Sequence, residues 1–183
     1  MSRLPDLTPE SMTDEQKTVA DLITSGPHGK VMGPYPAWLH SPELAKRARA
    51  LSEYLRFQST PSKRLAEIAI LITGRHWKAE FEFYAHAELA RKAGVEEHII
   101  QALAAGKRPD FSHDDDIIVY DLCTEMLQTR RVTSATYQRA LDAFGAQMLV
   151  DLVAMMGYYC MVSVTLNAFD APLPAGEPSP FPD

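Results

Sequence analysis

Only two cysteines, Cys123 and Cys160, occur in this chain of 183 residues, and they form no CxxC. So few thiols exclude a disulfide-stapled scaffold, and two buried thiols in a reducing compartment are the expectation. Basic residues are also scarce. Eighteen Lys and Arg stand against 24 Asp and Glu, for a net charge of -6. A general nucleic-acid binder, which needs a basic face, is thereby disfavoured. No run of 18 apolar residues occurs, so no membrane-spanning helix is expected. The opening MSRLPDLTPESMTDEQK has no apolar core of the kind a secretory signal carries, and a cytoplasmic location follows as the expectation. GxSxG, HExxH, ExxH and glycine-rich phosphate loops are all missing, which removes the signatures of serine hydrolases, zinc peptidases and nucleotide binders. Strand-like alternation is missing as well.

What remains is helical. The 46% hydrophobic and 23% charged fractions are those of one globular domain, here taken as 1–183. Residues 1–12 read as an arm, and the proline-rich APLPAGEPSPFPD, 171–183, as an irregular tail that wraps a neighbour or stays mobile. Thr13 and Gln16 form a capping box for a helix over 14–24. Residues 25–40 form a long Gly/Pro-rich loop that offers Tyr35, Trp38 and His40 to a pocket; Trp38 either pins the loop to the core or meets a ligand. Ser41-Pro42-Glu43 starts a helix to Phe57, and Thr60-Pro61 starts another over 61–74, with Gly74 ending it. Further helices are expected over 77–93, 96–105, 114–129 and 134–144, then, past Gly145, over 146–168. Asp114, Asp115 and Asp116 read as acids at a helix N-terminus, not as a metal site. The last helix is oily on most sides, with Asp151, Tyr158 and Asn167 as exceptions, so a subunit interface is expected there.

The chemistry concentrates in LAEIAILITGRHWKAEFEFYAHAELARKAG, residues 65–94. Its first helix is apolar from Leu65 to Ile72 except for Glu67. In the second, positions 79, 82, 86, 89 and 93 share a face, which places Glu82 and His86 together among Ala79, Leu89 and Ala93. Burial raises a carboxylate's pKa, and a neighbouring imidazolium lowers it again. Such a cluster holds a proton near neutral pH and moves it, as general acid/base catalysis requires. Arg75 or His76 could hold a substrate carboxylate, and Tyr35, Trp38 and Tyr158 could line the pocket; of the polar groups in the last helix, Tyr158, Tyr159 and Asn167, one or more serves as a pocket donor or hydrogen-bonds at an interface. Simpler readings stand beside this one. Glu82–His86 is also an ordinary i,i+4 pair, Glu67 could neutralise Arg64 or Arg75, and two carboxylates with a histidine could bind a divalent ion.

The pattern RLAEIAILITGRHWKAEFEFYAHAELARKAGV resembles the carboxymuconolactone decarboxylase family, which includes the alkylhydroperoxidase D-like proteins. The likeness covers about 40–168 and is densest over 63–106. The family's glutamate matches Glu67, and its histidine, followed by a helical run and a glycine, matches His86 with Gly94. The peroxidase branch carries a CxxC whose positions here hold Ala79 and Glu82. A glutamate at the second of these is typical of the decarboxylase-like branch. The resemblance implies an all-α bundle of about seven to eight helices, usually a homo-oligomer such as a trimer or hexamer. It implies a cofactor-independent carbon–carbon lyase with Glu67, Glu82 and His86 as catalytic residues and no metal. The implied partner is a small organic acid or lactone from aromatic catabolism. Without the two thiols, peroxidase cycling is not implied. The alternatives left open are a non-catalytic ligand-binding scaffold and a metal-dependent enzyme.

Overall fold

The computed structural model describes residues 2–182. Met1 of the expected arm and Asp183 of the expected tail lie outside them. Eight helices follow one another: α1 (Asp14–Ser25), α2 (Tyr35–Trp38), α3 (Pro42–Phe57), α4 (Lys63–His76), α5 (Glu80–Lys92), α6 (Glu97–Ala104), α7 (Asp114–Thr129) and α8 (Ser134–Ala168). Among the described residues there is no strand. The Thr13–Gln16 capping box forms in both directions.

Helix α4 is the axis of the molecule. It packs against α5, α6, α7 and α8. From Glu67 to Gly74 every one of its residues is buried. One side of it joins a core with Phe83, Ile99, Val119 and Leu152, while Ile70 faces a second core with Trp38, Leu55 and Tyr159. An unbroken apolar run of this length matches a helix covered on all sides.

Several boundaries depart from expectation. Helix α4 is capped by Ser62, whose side chain accepts from the Leu65 amide, and runs two residues past Gly74. Gly74 does not end the helix. It lets α5 approach, since a Cβ there would sit 3.6 Å from Glu82 Cγ. The expected 25–40 loop contains the short α2, where Pro36 falls in the first turn and loses no hydrogen bond. Gly145 does interrupt α8, with φ 72° and ψ 168°. The tail turns back on its own chain: Ser179 donates to Glu80 at 2.6 Å, and the Phe181 ring meets Phe83 edge-on at 5.2 Å.

The acidic run at α7 does more than face a helix dipole. Asp116 is 1% exposed and pairs with Arg64, whose Nη2 lies 2.5 Å from one carboxylate oxygen. Arg64 also binds Glu96 at 2.7 Å and donates to the Gly94 carbonyl, which joins the starts of α4, α6 and α7 to the end of α5. On the far side, Asp151 accepts from the Thr60 amide and hydroxyl and from Tyr54, fixing the α3–α4 turn onto α8. Helix α8 is long and apolar enough to cross a membrane by composition, but most of its oily stretch is buried within the domain. Val150, Val153, Met161 and Val164 stay exposed along its outer side.

Candidate active site

Glu67 and His86 are brought together by the side-by-side packing of α4 and α5. Nδ1 of His86 lies 2.6 Å from Glu67 Oε2. A carboxylate oxygen only accepts, so Nδ1 carries the proton. One turn before His86 on α5, Glu82 places Oε1 2.9 Å from His86 Nε2. That contact is off the line of a hydrogen bond, and Glu82 Oε1 is buried without a hydrogen-bond partner. The imidazole is thus held firmly on one side and only electrostatically on the other. All three residues are buried: Glu67 is 7% exposed, Glu82 3% and His86 5%.

Burial by itself would drive the His86 pKa down. Glu82, and after it Glu67, outweigh burial and lift it to about 9. The resting ring at neutral pH is an imidazolium clamped between carboxylates. The two ring nitrogens point in opposite directions and each meets a different glutamate. The three donors therefore do not converge on one point, and among the described residues no group of three or more His, Cys, Asp or Glu is arranged to hold a metal ion.

Tyr159 of α8 closes the site. Its ring stands edge-on to His86, 5.0 Å between centroids, and it is 3% exposed. A relay of rings leads outward from it: Tyr158 at 5.4 Å, Trp38 at 6.2 Å from Tyr158, Tyr35 at 5.5 Å from Trp38, and His28 at 5.4 Å from Tyr35. Tyr35, Trp38 and Tyr158 thus share one aromatic wall, to which loop 25–40 contributes. Trp38 donates its indole N–H to Thr165 at 3.0 Å, so its polar atom is engaged within the core. His40 leaves the wall and contacts the Pro5 carbonyl.

Arg75 and His76 are not brought to His86. Eight residues beyond Glu67 on one helix, Arg75 is displaced by about 12 Å along the axis at ~1.5 Å per residue. Its Nε donates to the Ala104 carbonyl, and its guanidinium lies over Phe181. With His76, Lys107 and Tyr120 it lines a separate cleft of about 300 Å3. A larger cleft, about 390 Å3 between α7 and α8, is walled by Leu122, Leu141, Leu149 and Val153 and carries no ionisable group besides Tyr137. Neither contains Glu67, Glu82 or His86, and size alone does not mark the chemistry. Glu67 neutralises neither arginine considered for it, because Arg64 is held by Asp116 and Glu96.

Arg56 escaped the sequence reading, whereas Tyr159 was among the polar groups of the last helix expected either to line the pocket or to hydrogen-bond at an interface. Tyr159 sits in an apolar run whose facing residues only the fold reveals. Arg56 looks like an ordinary cation in the last turn of α3. The half-buried Arg56 has Tyr159, Glu67, Glu82 and Tyr35 as its titratable neighbours.

No family model matches the sequence, and no curated protein matches it. The backbone does match a solved structure. Over 95% of this chain and 93% of the other, it aligns with TM-score 0.77 to the crystal structure of an alkylhydroperoxidase AhpD core, an uncharacterized peroxidase-related protein from Ralstonia eutropha JMP134, at 12% identity. The chain has the alkylhydroperoxidase D-like fold. Within that fold the all-helical expectation holds, and Glu67, Glu82 and His86 sit at the α4–α5 seam. Neither cysteine of this alkylhydroperoxidase D-like chain lies on α4 or α5, the helices that form that seam. Cys123 is buried, and burial pushes its thiol up to about 12, so that thiolate is scarce at neutral pH.

Proposed function

We propose that this alkylhydroperoxidase D-like protein is a cofactor-independent acid/base enzyme acting on a small organic acid or lactone, with a decarboxylase-like lyase reaction as its activity. The observation that carries the reading is the buried imidazolium of His86, bonded through Nδ1 to Glu67 and lying loosely against the unpartnered Glu82 Oε1. Glu67 fixes the ring and its tautomer. Nε2 is then the position from which a proton leaves, and Glu82 is the group that takes or returns one. In a decarboxylation the bond to the departing carboxylate breaks, carbon dioxide leaves, and the electron pair moves onto a neighbouring carbonyl oxygen. The Nε2 proton then goes to carbon. The enclosed site keeps water from competing for that proton, and a positioned acid/base group contributes about 10²–10⁴-fold.

Exchange of substrate hydrogen with solvent tests this directly. Unsaturated acids and lactones incubated with the protein in D2O should gain deuterium beside the carbonyl, followed by NMR, and Glu82→Gln or His86→Gln should slow that gain at least 100-fold, the lower end of the ~10²–10⁴ range. Equal incorporation by the wild type and both variants would sink the acid/base reading. Homo-oligomeric assembly through the outer side of α8 belongs to the same proposal. It is supported by the exposed Val150, Val153, Met161 and Val164, and light scattering on the eluting protein would decide it.

A further inference from the structure

A cation without a counterion stands beside the site. Among the described residues Arg56 makes no salt bridge and no hydrogen bond, although it is half-buried and every nitrogen of its guanidinium donates. Other partly buried arginines differ. Arg64 is held by two carboxylates and Arg49 pairs with Glu53 at 2.8 Å. A guanidinium with no partner in the chain keeps its donors free for an anion that comes from outside it.

The surroundings of Arg56 describe that partner. Its guanidinium carbon lies 5.5 Å from the Phe57 ring centroid; Phe57 meets His28 at 5.7 Å, and His28 meets Tyr35 at 5.4 Å. Tyr158 and Tyr159 continue the aromatic wall to His86. Burial, reinforced by the Arg56 and Arg49 charges, holds the His28 pKa down to about 4, so no second cation competes there at neutral pH. Phe57 is 47% exposed and marks the outer end of this wall, while Tyr159 is 3% exposed and marks the inner one. The Tyr159 hydroxyl makes no hydrogen bond among the described residues. Arg56 and Tyr159 are near enough that each belongs to the electrostatic surroundings of the other. Arg56 adds a positive charge to the surroundings of Glu67 and Glu82. That charge favours an arriving anion.

We propose that Arg56, with the Tyr159 hydroxyl, is the anchor for a carboxylate that the substrate retains, and that the substrate is a flat, unsaturated carboxylic acid whose reacting carbon this anchor places beside His86 and Glu82. The planar guanidinium suits a carboxylate through two parallel hydrogen bonds, and the ring wall suits a planar carbon frame. The inference rests on the acid/base reading for what happens next, but the binding step stands apart from turnover.

Benzoate titrated calorimetrically into the full chain tests it, with benzamide as the neutral isostere, inorganic phosphate as the non-planar anion, and the His86 ring signal followed by NMR. Benzoate should bind and shift the His86 signal, and benzamide and phosphate should bind at least tenfold more weakly. Arg56→Gln should weaken benzoate tenfold or more. Arg56→Lys, which keeps the charge and loses the paired donors, should weaken it several-fold and carries the test if the glutamine variant does not fold. Arg75→Gln, in the separate cleft, should leave binding unchanged. No benzoate binding to the folded wild type, equal affinity in both Arg56 variants, tighter binding of phosphate, or loss in Arg75→Gln would each overturn the assignment. If benzoate binds through Arg56 but His86→Gln and Glu82→Gln leave deuterium exchange untouched, the anchor stands and the acid/base reading falls.

Discussion

Raising the pH should unlock this protein from inside. The His86 imidazole is held up to about 9 by Glu82 and Glu67 against the effect of its burial, while in the unfolded chain it returns to its ordinary value near 6.5. Below 6.5 both states carry the proton, and the full stabilisation is present. Between 6.5 and 9 the folded protein keeps a proton that the unfolded chain has released, so stability falls as pH rises, by about 1.36 kcal/mol per unit. Over the whole window the loss is about 3 kcal/mol, a large share of the ~5–15 kcal/mol that holds an ordinary domain folded. With a urea dependence of about 2 kcal/mol per molar, the unfolding midpoint should drop by ~1.5 M from pH 6.5 to 9. Urea titrations at half-unit steps would measure this, with His86→Gln as the reference that lacks the titrating ring. The facing groups Glu67, Glu82, Tyr159 and Arg56 remain in that reference, so the difference between the two curves isolates the imidazole. A wild-type midpoint that stays level across the window, or one that falls in parallel with the variant, would refute the clamped imidazolium. So would a His86 NMR titration centred at or below 6.5.

Three other perturbations follow from the packing. Arg64→Met strands Asp116, which is 1% exposed, and should destabilise by about 3–5 kcal/mol in chemical denaturation, with Arg64→Met/Asp116→Leu recovering most of it. Asp151→Ala leaves the Thr60 amide and hydroxyl and the Tyr54 hydroxyl without their acceptor, and should cost about 1–3 kcal/mol in the same assay. Gly74 and Gly145 should respond in opposite directions. Gly145→Ala meets no atom within 4 Å but keeps an unfavourable φ of 72°, for a loss of about 1–3 kcal/mol, whereas Gly74→Ala makes ordinary contacts at 3.6 Å and gains ~1 kcal/mol of helix propensity.

The helices were legible wherever a period and a stop signal coincided. Thr13 with Gln16, Ser41 with Pro42, and Gly145 each mark a boundary that the fold uses, because capping and left-handed backbone are decided locally. Gly74 misled because a glycine ends a helix only when its backbone leaves the helical conformation. Here it stays helical and yields space to Glu82. The meeting of Glu82 and His86 could be read from a four-residue spacing, and that of Glu67 with His86 from two adjacent buried faces. Arg75 and His76 were grouped with them by nearness in sequence, which a rising helix converts into distance. Arg56, the contact of Tyr159 with His86 and the Arg64–Asp116 pair were out of reach, since each depends on which helices become neighbours across long stretches of chain.

Helix α4 is sheathed on every side, and Glu67 belongs to the stretch that is sheathed. Its amide hydrogens around Ile68–Ile72 can therefore meet solvent only when the whole domain opens, and should be among the slowest to exchange. Selection acting on Glu67 acts on foldability at the same time. Glu82, in the first turn of α5, lies against His86 and Gly74 but makes no hydrogen bond among the described residues, and is under no such double demand. A lineage built on this bundle can change its chemistry at that position and leave its frame alone.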